Sequence, residues 1–251
     1  MTRRTLRGFW LGRQRYAAVH ELQNSLQTAR SEGRIGDSVL FVEHEPVITL
    51  GRRGGGVQGA HVLVSREALA ERGVELFVTE RGGDVTLHAP GQLVCYPIVD
   101  LAPDRCDVRR YVRDLTETMR RLLLPYGISG GTLDGFIGLW IDRAAPALWP
   151  GQDAARELVK IGAVGVHLSR WVTKHGFALN VSTDLDLFKL IVPCGISAHG
   201  VTSVAELSQR SVSAASLVPD ALQALATVLE AEAPELRDAS HHLPTMPDFS
   251  G

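Results

Sequence analysis

Two adjacent extended runs in the second half of the chain constrain its fold most strongly. LVKIGAVGVHL (158–168) and WVTKHGFALNV (171–181) are rich in apolar and β-branched residues, and only Ser169 and Arg170 separate them. Two such runs joined by so short a connection predict an antiparallel hairpin. The first run carries Lys160 close to its start, and a short stretch after the second run leads to a Pro-Cys-Gly turn at Cys194.

The other segments alternate extended runs with amphipathic helices. Apolar residues at three- and four-residue spacing predict helices at 14–30, 107–126 and 213–231, with short ones at 204–209 and from an N-cap at Ser65 to Gly73. Apolar runs bounded by turn residues predict strands at 38–44, 46–51, 74–80, 84–88, 92–100 and 135–142. Regular βαβ alternation is missing, as is a dinucleotide fingerprint. The order predicts an α/β fold of the α+β type, a mixed sheet flanked by helices.

No composition break marks a linker, so we expect one domain. We assign 1–235 to a catalytic domain. We expect 236–251 to be a loose C-terminal tail, because the end of the chain holds prolines, a glycine and two adjacent histidines.

The composition is that of a globular protein without a polyanionic partner. Hydrophobic residues make up 45% of the 251 residues, charged residues 22%, and the net charge is −2. This balance gives no reason to expect nucleic acid or a membrane surface as partner. No window approaches the roughly 20 apolar residues of a membrane span, and the N-terminus lacks the apolar core of a signal peptide. Three cysteines form no even disulfide set and have no CxxC metal spacing, so we expect a cytoplasmic protein in a reducing compartment. We also expect a monomer.

The residues that could carry chemistry each have two readings. Cys194 is either a buried structural thiol or a nucleophile, and Lys160 either extends its ammonium to solvent or lowers the pKa of a neighbouring thiol. Cys95 and Cys106 lack a lysine or histidine in an obvious pairing context, so we expect both to be structural. The spacing of the residues alone does not bring Lys160 and Cys194 together.

Two histidines next to glycine-containing turns also have more than one reading. His88 and His175 could bind a substrate carbonyl, act as a base or close a turn. The nine histidines include no HExxH motif and no pair at metal-ligand spacing with the cysteines, so we expect no metal. Backbone amides of the glycine-rich segments could approach a ligand closely and stabilise an oxyanion; these glycines are Gly82, Gly83, Gly91, Gly162, Gly165 and Gly176.

Four ordered motifs resemble one enzyme family. RGGDVTLHAPGQLVCYPIVDL (81–101) is similar to the R-G-G-x-(V/I)-T-(Y/F)-H-G-P-G-Q-L-V-x-Y-P signature of octanoyl-acyl carrier protein:protein N-octanoyltransferases, enzymes of lipoate biosynthesis. KIGAVGVHLSRWVTKHGFALNV (160–181) matches that family's lysine strand and its His-Gly segment. IVPCGI (191–196) resembles its cysteine motif, and EHEPVITLGRRG (43–54) its upstream segment.

The resemblance implies a biotin and lipoate protein ligase-like fold and an acyl-enzyme mechanism. Cys194 would take octanoyl from the phosphopantetheine thioester of acyl carrier protein, and Lys160 would depress the thiol pKa and move protons. A lysine on a lipoyl domain of a 2-oxoacid dehydrogenase or of the glycine-cleavage H protein would then receive the acyl group. No cofactor is implied beyond the phosphopantetheine that the substrate carries.

The resemblance also implies which residues line the octanoyl pocket. They come from three segments: Arg81, Gly82, Gly83, Asp84, Val85, Thr86, Leu87 and His88; Ala163, Val164 and Gly165; and Gly176, Phe177 and Ala178. The chain departs from the family where Leu87 replaces an aromatic residue and Ala89 a glycine. We expect Leu87 to remove a hydrogen bond at the pocket wall, and Ala89 to narrow the conformational range of the turn.

Three other functions remain open. An ATP-dependent lipoate or biotin ligase would share the fold but would need no cysteine. An octanoyl amidotransferase between lipoyl carriers would use one. A catalytically silent module would bind lipoyl domains without acylating Cys194.

Overall fold

The computed structural model describes residues 4–52, 61–192 and 199–249, apart from the side chains of 233 and 234. The strands are β1 (Thr5–Gln14), β2 (Ser38–His44), β3 (Val47–Leu50), β4 (Glu75–Val78), β5 (Val85–His88), β6 (Gln92–Ile98), β7 (Gly131–Leu133), β8 (Phe136–Asp142), β9 (Leu158–Ser169), β10 (Val172–Asn180), β11 (Gly200–Val201) and β12 (Glu232–Asp238). The α-helices are α1 (Tyr16–Ser31), α2 (Arg66–Glu71), α3 (Val108–Leu123), α4 (Val204–Ser208) and α5 (Val218–Val228). In the described ranges, 3₁₀ helices cover Leu124–Tyr126, Leu185–Leu190, Ala215–Leu217 and Met246–Phe249.

Within the described ranges, a large mixed sheet forms the centre of the fold. Its strand order is β12-β1-β2-β6-β10-β9-β8-β7, and β11 pairs with β9 beside this path. β1 runs parallel to both β12 and β2, and β11 runs parallel to β9. The other neighbours are antiparallel, including the predicted β9–β10 hairpin, in which Val172 pairs with Ser169.

Helices cover both faces of this sheet. Alternate residues of β2 belong to different cores: Phe41 packs on the side of α3 and α5, and Leu40 on the side of α1. Side chains of a strand alternate between faces, so a strand that is covered on both sides reads as a continuous apolar run. This explains the sequence SVLFVEH. The N-cap of α3, the helix that follows β6, is Asp107, whose carboxylate accepts hydrogen bonds from the backbone N–H groups of Arg109 and Arg110.

A small sheet with the order β4-β3-β5 lies against the β9–β10 hairpin. Its own core contains Ile48 and Leu87, together with Leu69 of α2. The loop between β4 and β5 joins the two sheets, because the backbone N–H of Gly82 donates to the carbonyl of Val166, 2.9 Å away. The space between the small sheet and the hairpin is where the candidate site lies.

Most predicted elements are confirmed within one to three residues, including the N-cap at Ser65, which accepts a hydrogen bond from the N–H of Ala68. The sequence analysis missed β1, β7, β11 and β12. None of these strands has a clear two-residue alternation, and β12 and β7 end the path of the large sheet, where a strand has one neighbour and tolerates polar residues. None of the helices in the described ranges combines the length and the apolar composition that a membrane span requires.

The expectation of a loose tail over 236–251 differs from the structure over 236–249. β12 pairs with β1 from Glu232 to Asp238, so the chain end extends the sheet. Farther on, the Phe249 ring is fully buried, with its centroid 4.3 Å from that of Phe9. Prolines and glycine signalled a loop, but burial of one aromatic ring holds the segment in place. The division at 235 stays a prediction.

Candidate active site

Lys160 lies on β9 and is almost completely buried, with 7% of its surface exposed. Its register partner on β8 is Trp140, and its Nζ lies 5.3 Å from the Trp140 ring centroid, within cation–π range. Gly138 makes room for the lysine: a Cβ at that position would come within 2.5 Å of Lys160 Cε. The sequence left open whether Lys160 extends its ammonium to solvent. The structure holds this lysine inside the protein.

A cavity between the hairpin and the small sheet brings most of the predicted site residues together. It is lined by Tyr16, Arg81, Gly83, Asp84, Val85, Thr86, His88, Tyr96, Lys160, Ala163, Val164, Gly165, His175, Gly176, Phe177 and Ala178. Lys160 also borders a second cavity, which shares Thr86, Ala163 and Ala178 with the first. The buried Lys160, several polar side chains and an apolar wall therefore line the same cavity.

Two predicted pocket residues do not line the cavity. The side chain of Leu87 is fully buried in the core of the small sheet, since successive side chains of β5 point to opposite faces and Thr86 and His88 face the cavity. Gly82 is held instead by its hydrogen bond to Val166. The Leu87 side chain therefore contributes to the packing of the small sheet and does not affect a hydrogen bond at the cavity wall. Ala89 is buried, and its φ is not positive, so alanine causes no strain there.

Cys194 lies outside the described residues. The segments that lead to it in sequence are described as far as Val192, and those that follow it from His199. The pairing of Lys160 with Cys194 therefore stays a prediction. Cys95 is buried in the core and Cys106 is exposed.

A hydrogen-bond chain fixes the tautomer of His88. The Gln92 amide N–H groups donate to the carbonyl of Leu87 and to Asn180 Oδ1, 3.2 and 2.9 Å away. The Gln92 Oε1 therefore faces His88 Nδ1 at 2.7 Å and must accept its proton. Burial lowers the pKa of His88 to about 3. The imidazole is thus neutral at pH 7, with its unprotonated Nε2 available as an acceptor.

A second buried histidine, His44, orients the hydroxyl of Tyr96. His44 Nδ1 lies 3.1 Å from the carbonyl oxygen of Gln14, which can only accept, so Nδ1 carries the proton. The Tyr96 hydroxyl, 2.9 Å from His44 Nε2, must then donate to it. Burial lowers the pKa of His44 to about 4. Both histidine rings pack against Tyr16, which lines the cavity: His88 stacks on it and His44 is tilted to it.

His175 belongs to a third polar group, with His20 and Glu80. Ligand-type atoms of these three residues lie within 4.8 Å of one another. Glu80 also forms a close ion pair with Lys174, whose positive charge opposes a cation at this place. Burial, and then the charge of Lys174, hold the pKa of His175 well below its ordinary value. The group could offer ligands to a metal, but an ammonium already neutralises its one carboxylate.

Sequence reasoning missed several residues of the cavity. Tyr16 begins α1 and Tyr96 lies within β6, far from the glycine-rich segments in sequence. Tyr96 was visible as a polar-tipped aromatic residue in an otherwise apolar strand, which often signals a hydrogen bond. Tyr16 was identified only as part of an apolar helix face. Nothing local marked it.

The profile of the lipoyl protein ligase A/B catalytic domain matches residues 15–226. The chain belongs to this family. Its relatives include octanoyltransferases. The chain is 43% identical over 228 residues to the octanoyltransferase of Myxococcus xanthus, and this alignment covers 91% of this chain and 60% of the relative. The chain is 47% identical over 203 residues to the octanoyltransferase of Chloroflexus aggregans, and this alignment covers 80% of this chain and 85% of the relative. With the octanoyltransferase of Koribacter versatilis the identity is 41% over 241 residues, and the alignment covers 95% of this chain and 90% of the relative. These identities place this family member among the octanoyltransferases, as its motifs predicted.

Solved structures share the fold of this family member. Lipoate-protein ligase A bound with ATP matches with a TM-score of 0.63 at 15% identity, over 94% of this chain and 88% of the other. P. falciparum LipL1 in complex with lipoate matches with a TM-score of 0.64 at 9% identity, over 94% of this chain and 66% of the other. The predicted fold class, a lipoate ligase-like mixed sheet flanked by helices, is confirmed.

Proposed function

We propose that this enzyme transfers octanoyl from octanoyl-acyl carrier protein to a lysine of a lipoyl domain, through a thioester on Cys194. Similarity to octanoyltransferases supports the reaction class. The buried position of Lys160 at a cavity with an apolar wall supports this mechanism most directly. An ammonium that is shielded from water interacts more strongly with a nearby anion than an exposed one does.

In this mechanism Cys194 acts as a thiolate. It attacks the donor thioester, the phosphopantetheine thiol leaves, and an acyl-enzyme forms. The acceptor amine then attacks the new thioester, and an amide is released with regeneration of the thiol. Lys160 stabilises the thiolate and returns protons to the leaving groups. Exchange of one thioester for another is nearly isoenergetic and conversion to an amide is downhill, so the reaction needs no ATP.

The cavity offers groups for the acyl carbonyl and for the chain. The neutral His88 has Nε2 as its acceptor, and the apolar wall of Val164, Phe177 and Ala178 suits an aliphatic chain. The acceptors are lipoyl domains of 2-oxoacid dehydrogenases and the H protein. We propose that the enzyme acts as a monomer in the cytoplasm and without a bound cofactor.

Intact mass after incubation with octanoyl-acyl carrier protein tests this function. We expect an octanoyl adduct on the wild type that Cys194→Ser abolishes and that Lys160→Ala forms at least about 100-fold more slowly. Cys106→Ser is the matched control, because this exposed thiol is outside the cavity, and it should keep the adduct. A wild type that forms no adduct but labels a lipoyl domain when ATP is supplied would replace the transferase with a ligase. An adduct from octanoylated H protein but not from acyl carrier protein would identify an amidotransferase.

A further inference from the structure

The side chains of Gln92 and Asn180 form a buried amide pair beside the site. Both residues line the second cavity, which Lys160 also lines. Gln92 Oε1 in addition faces Nδ1 of His88, a residue of the first cavity. The pair therefore connects a histidine of the first cavity with the wall of the second.

The direction of each hydrogen bond in this pair is fixed by the backbone that follows β11. The Thr202 carbonyl can only accept, and the Asn180 side-chain nitrogen donates to it over 3.0 Å. Asn180 Oδ1 is thereby turned toward Gln92 Nε2, 2.9 Å away, and accepts its N–H. A rotated Asn180 amide would place donor against donor and oxygen against oxygen. The Gln92 amide is thus held with its oxygen toward His88.

The same hydrogen bonds end on the strand that carries Lys160. The backbone N–H of Thr202 donates to the carbonyl of Lys160, 2.9 Å away, and Val201 of β11 pairs with Lys160. Thr202 is fully buried, so water does not compete for these bonds. One continuous set of hydrogen bonds therefore joins His88 to the backbone of Lys160, and both residues line the first cavity.

The tautomer of His88 determines which substrate groups the cavity can bind. Because Nδ1 donates its proton to Gln92, Nε2 can only accept. The octanoyl chain and its thioester have no N–H group. Two groups that come to the reacting carbonyl do have one: the phosphopantetheine amide next to the thioester, and the amine of the acceptor lysine. The opposite tautomer would present a donor and leave such an N–H unpaired in a buried site, which is costly.

We propose that Gln92 and Asn180 are positioning residues of the transfer reaction, which hold His88 so that its Nε2 accepts a hydrogen bond from an N–H group of the substrate. This inference rests on the proposed acyl transfer. His88 takes up no proton in it: the hydrogen bond orients the substrate, and Lys160 carries out the proton transfers. Gln92 and Asn180 act through His88.

A double-mutant cycle between positions 88 and 92 tests this assignment. Acylation by octanoyl-acyl carrier protein and transfer to a lipoyl domain are each followed by intact mass. We expect Gln92→Leu to slow one of these steps by about 10-fold, and to have no further effect on that step in the His88→Ala background. Slower acylation identifies the pantetheine amide as the N–H group, and slower transfer identifies the acceptor amine. Gln27→Leu is the matched control: this buried glutamine donates to the Val172 carbonyl away from both cavities, and its loss should slow neither step.

Asn180→Leu provides a second, milder variant. The carbonyl of Leu87 still accepts a hydrogen bond from the Gln92 amide, so we expect a smaller loss than in Gln92→Leu, in the same step. This loss should also disappear in the His88→Ala background.

The tautomer itself is measured by the side-chain nitrogen chemical shifts of isotope-labelled histidine. We expect the Nδ1–H form of His88 in the wild type and in Gln27→Leu, and the Nε2–H form to increase in Gln92→Leu. Wild-type rates for both steps in Gln92→Leu would overturn the inference, as would an unchanged tautomer. Equal losses with and without His88 would show a structural role for Gln92 and also overturn it. A wild type without an acyl adduct would contradict the proposed function itself, whichever tautomers the spectra show.

Discussion

At the scale of single residues, three buried histidines link stability to pH. Burial lowers the pKa of His44 to about 4, of His88 to about 3, and of His175 well below 6.5. In the unfolded chain each titrates near pH 6.5. Below that pH the unfolded state binds more protons than the folded state does, so acid favours unfolding. The full stability is therefore present above pH 6.5 and is lost as the pH falls.

We expect these three histidines together to lower the free energy of unfolding by up to about 4 kcal/mol per pH unit between pH 6 and 4, or about 1.4 kcal/mol per pH unit for each histidine. Urea unfolding at several pH values measures this slope. His88→Gln should reduce the slope by up to about 1.4 kcal/mol per pH unit, whatever its effect on stability at pH 7. The exposed His241→Gln should leave it unchanged. An equal slope in wild type and His88→Gln would contradict the assignment of a neutral buried His88.

Some residues of the site could be predicted from sequence because their signals are local. Lys160 and the glycine-bordered His88 lie in motifs that can be read directly. The 2.6 Å contact between His61 Nδ1 and Asp84 Oδ2 could not be predicted, because the two residues are 23 positions apart in the sequence and meet only in the folded chain. Leu87 was misplaced for a different reason. A motif match gives the position of a residue but not the face of the strand on which its side chain lies.

At the scale of elements, the β9–β10 turn contains avoidable strain. Arg170 and Trp171 have φ values of 49° and 67°, as a two-residue hairpin turn requires. Left-handed backbone is unfavourable for most side chains, while asparagine tolerates it. We expect Arg170→Asn to raise the free energy of unfolding by about 0.5–1 kcal/mol, measured by urea unfolding. Arg170→Val should lower it, because β-branched residues avoid this region. The same sign for both would refute the turn assignment.

The hairpin itself was predictable because its two runs are long, apolar and separated by a short gap. Strand β12 was not predictable, because its sequence EAPELRD lacks an alternation of apolar and polar residues and its partner β1 lies more than 200 residues earlier in the chain. Local pattern identifies an element whose stabilising contacts are close in sequence. It does not identify one whose only partner comes from the other end of the chain.

At the scale of the whole molecule, the C-terminal segment contributes to the stability of the sheet. Phe249 is fully buried against Phe9, so Phe249→Ala should lower the free energy of unfolding by about 3–5 kcal/mol. Leu236→Ala is the matched control within the same segment: this side chain is 38% exposed, and we expect less than about 1 kcal/mol. Urea unfolding of both variants provides the comparison. If both variants lowered the free energy of unfolding by similarly small amounts, the C-terminal segment would be a loose tail.

The parallel pairing of β1 with β12 also has a consequence for synthesis on the ribosome. β1 emerges first and pairs with β2 early, but its other edge stays open until residues 232–238 leave the exit tunnel. At 5–20 residues per second, translation of the intervening chain takes about 10–40 s. During that interval the nascent chain presents an unpaired strand edge, which is a template for pairing with other chains. Ribosomes that stall before β12 should therefore release aggregation-prone products, whereas synthesis of the chain through β12 closes the edge.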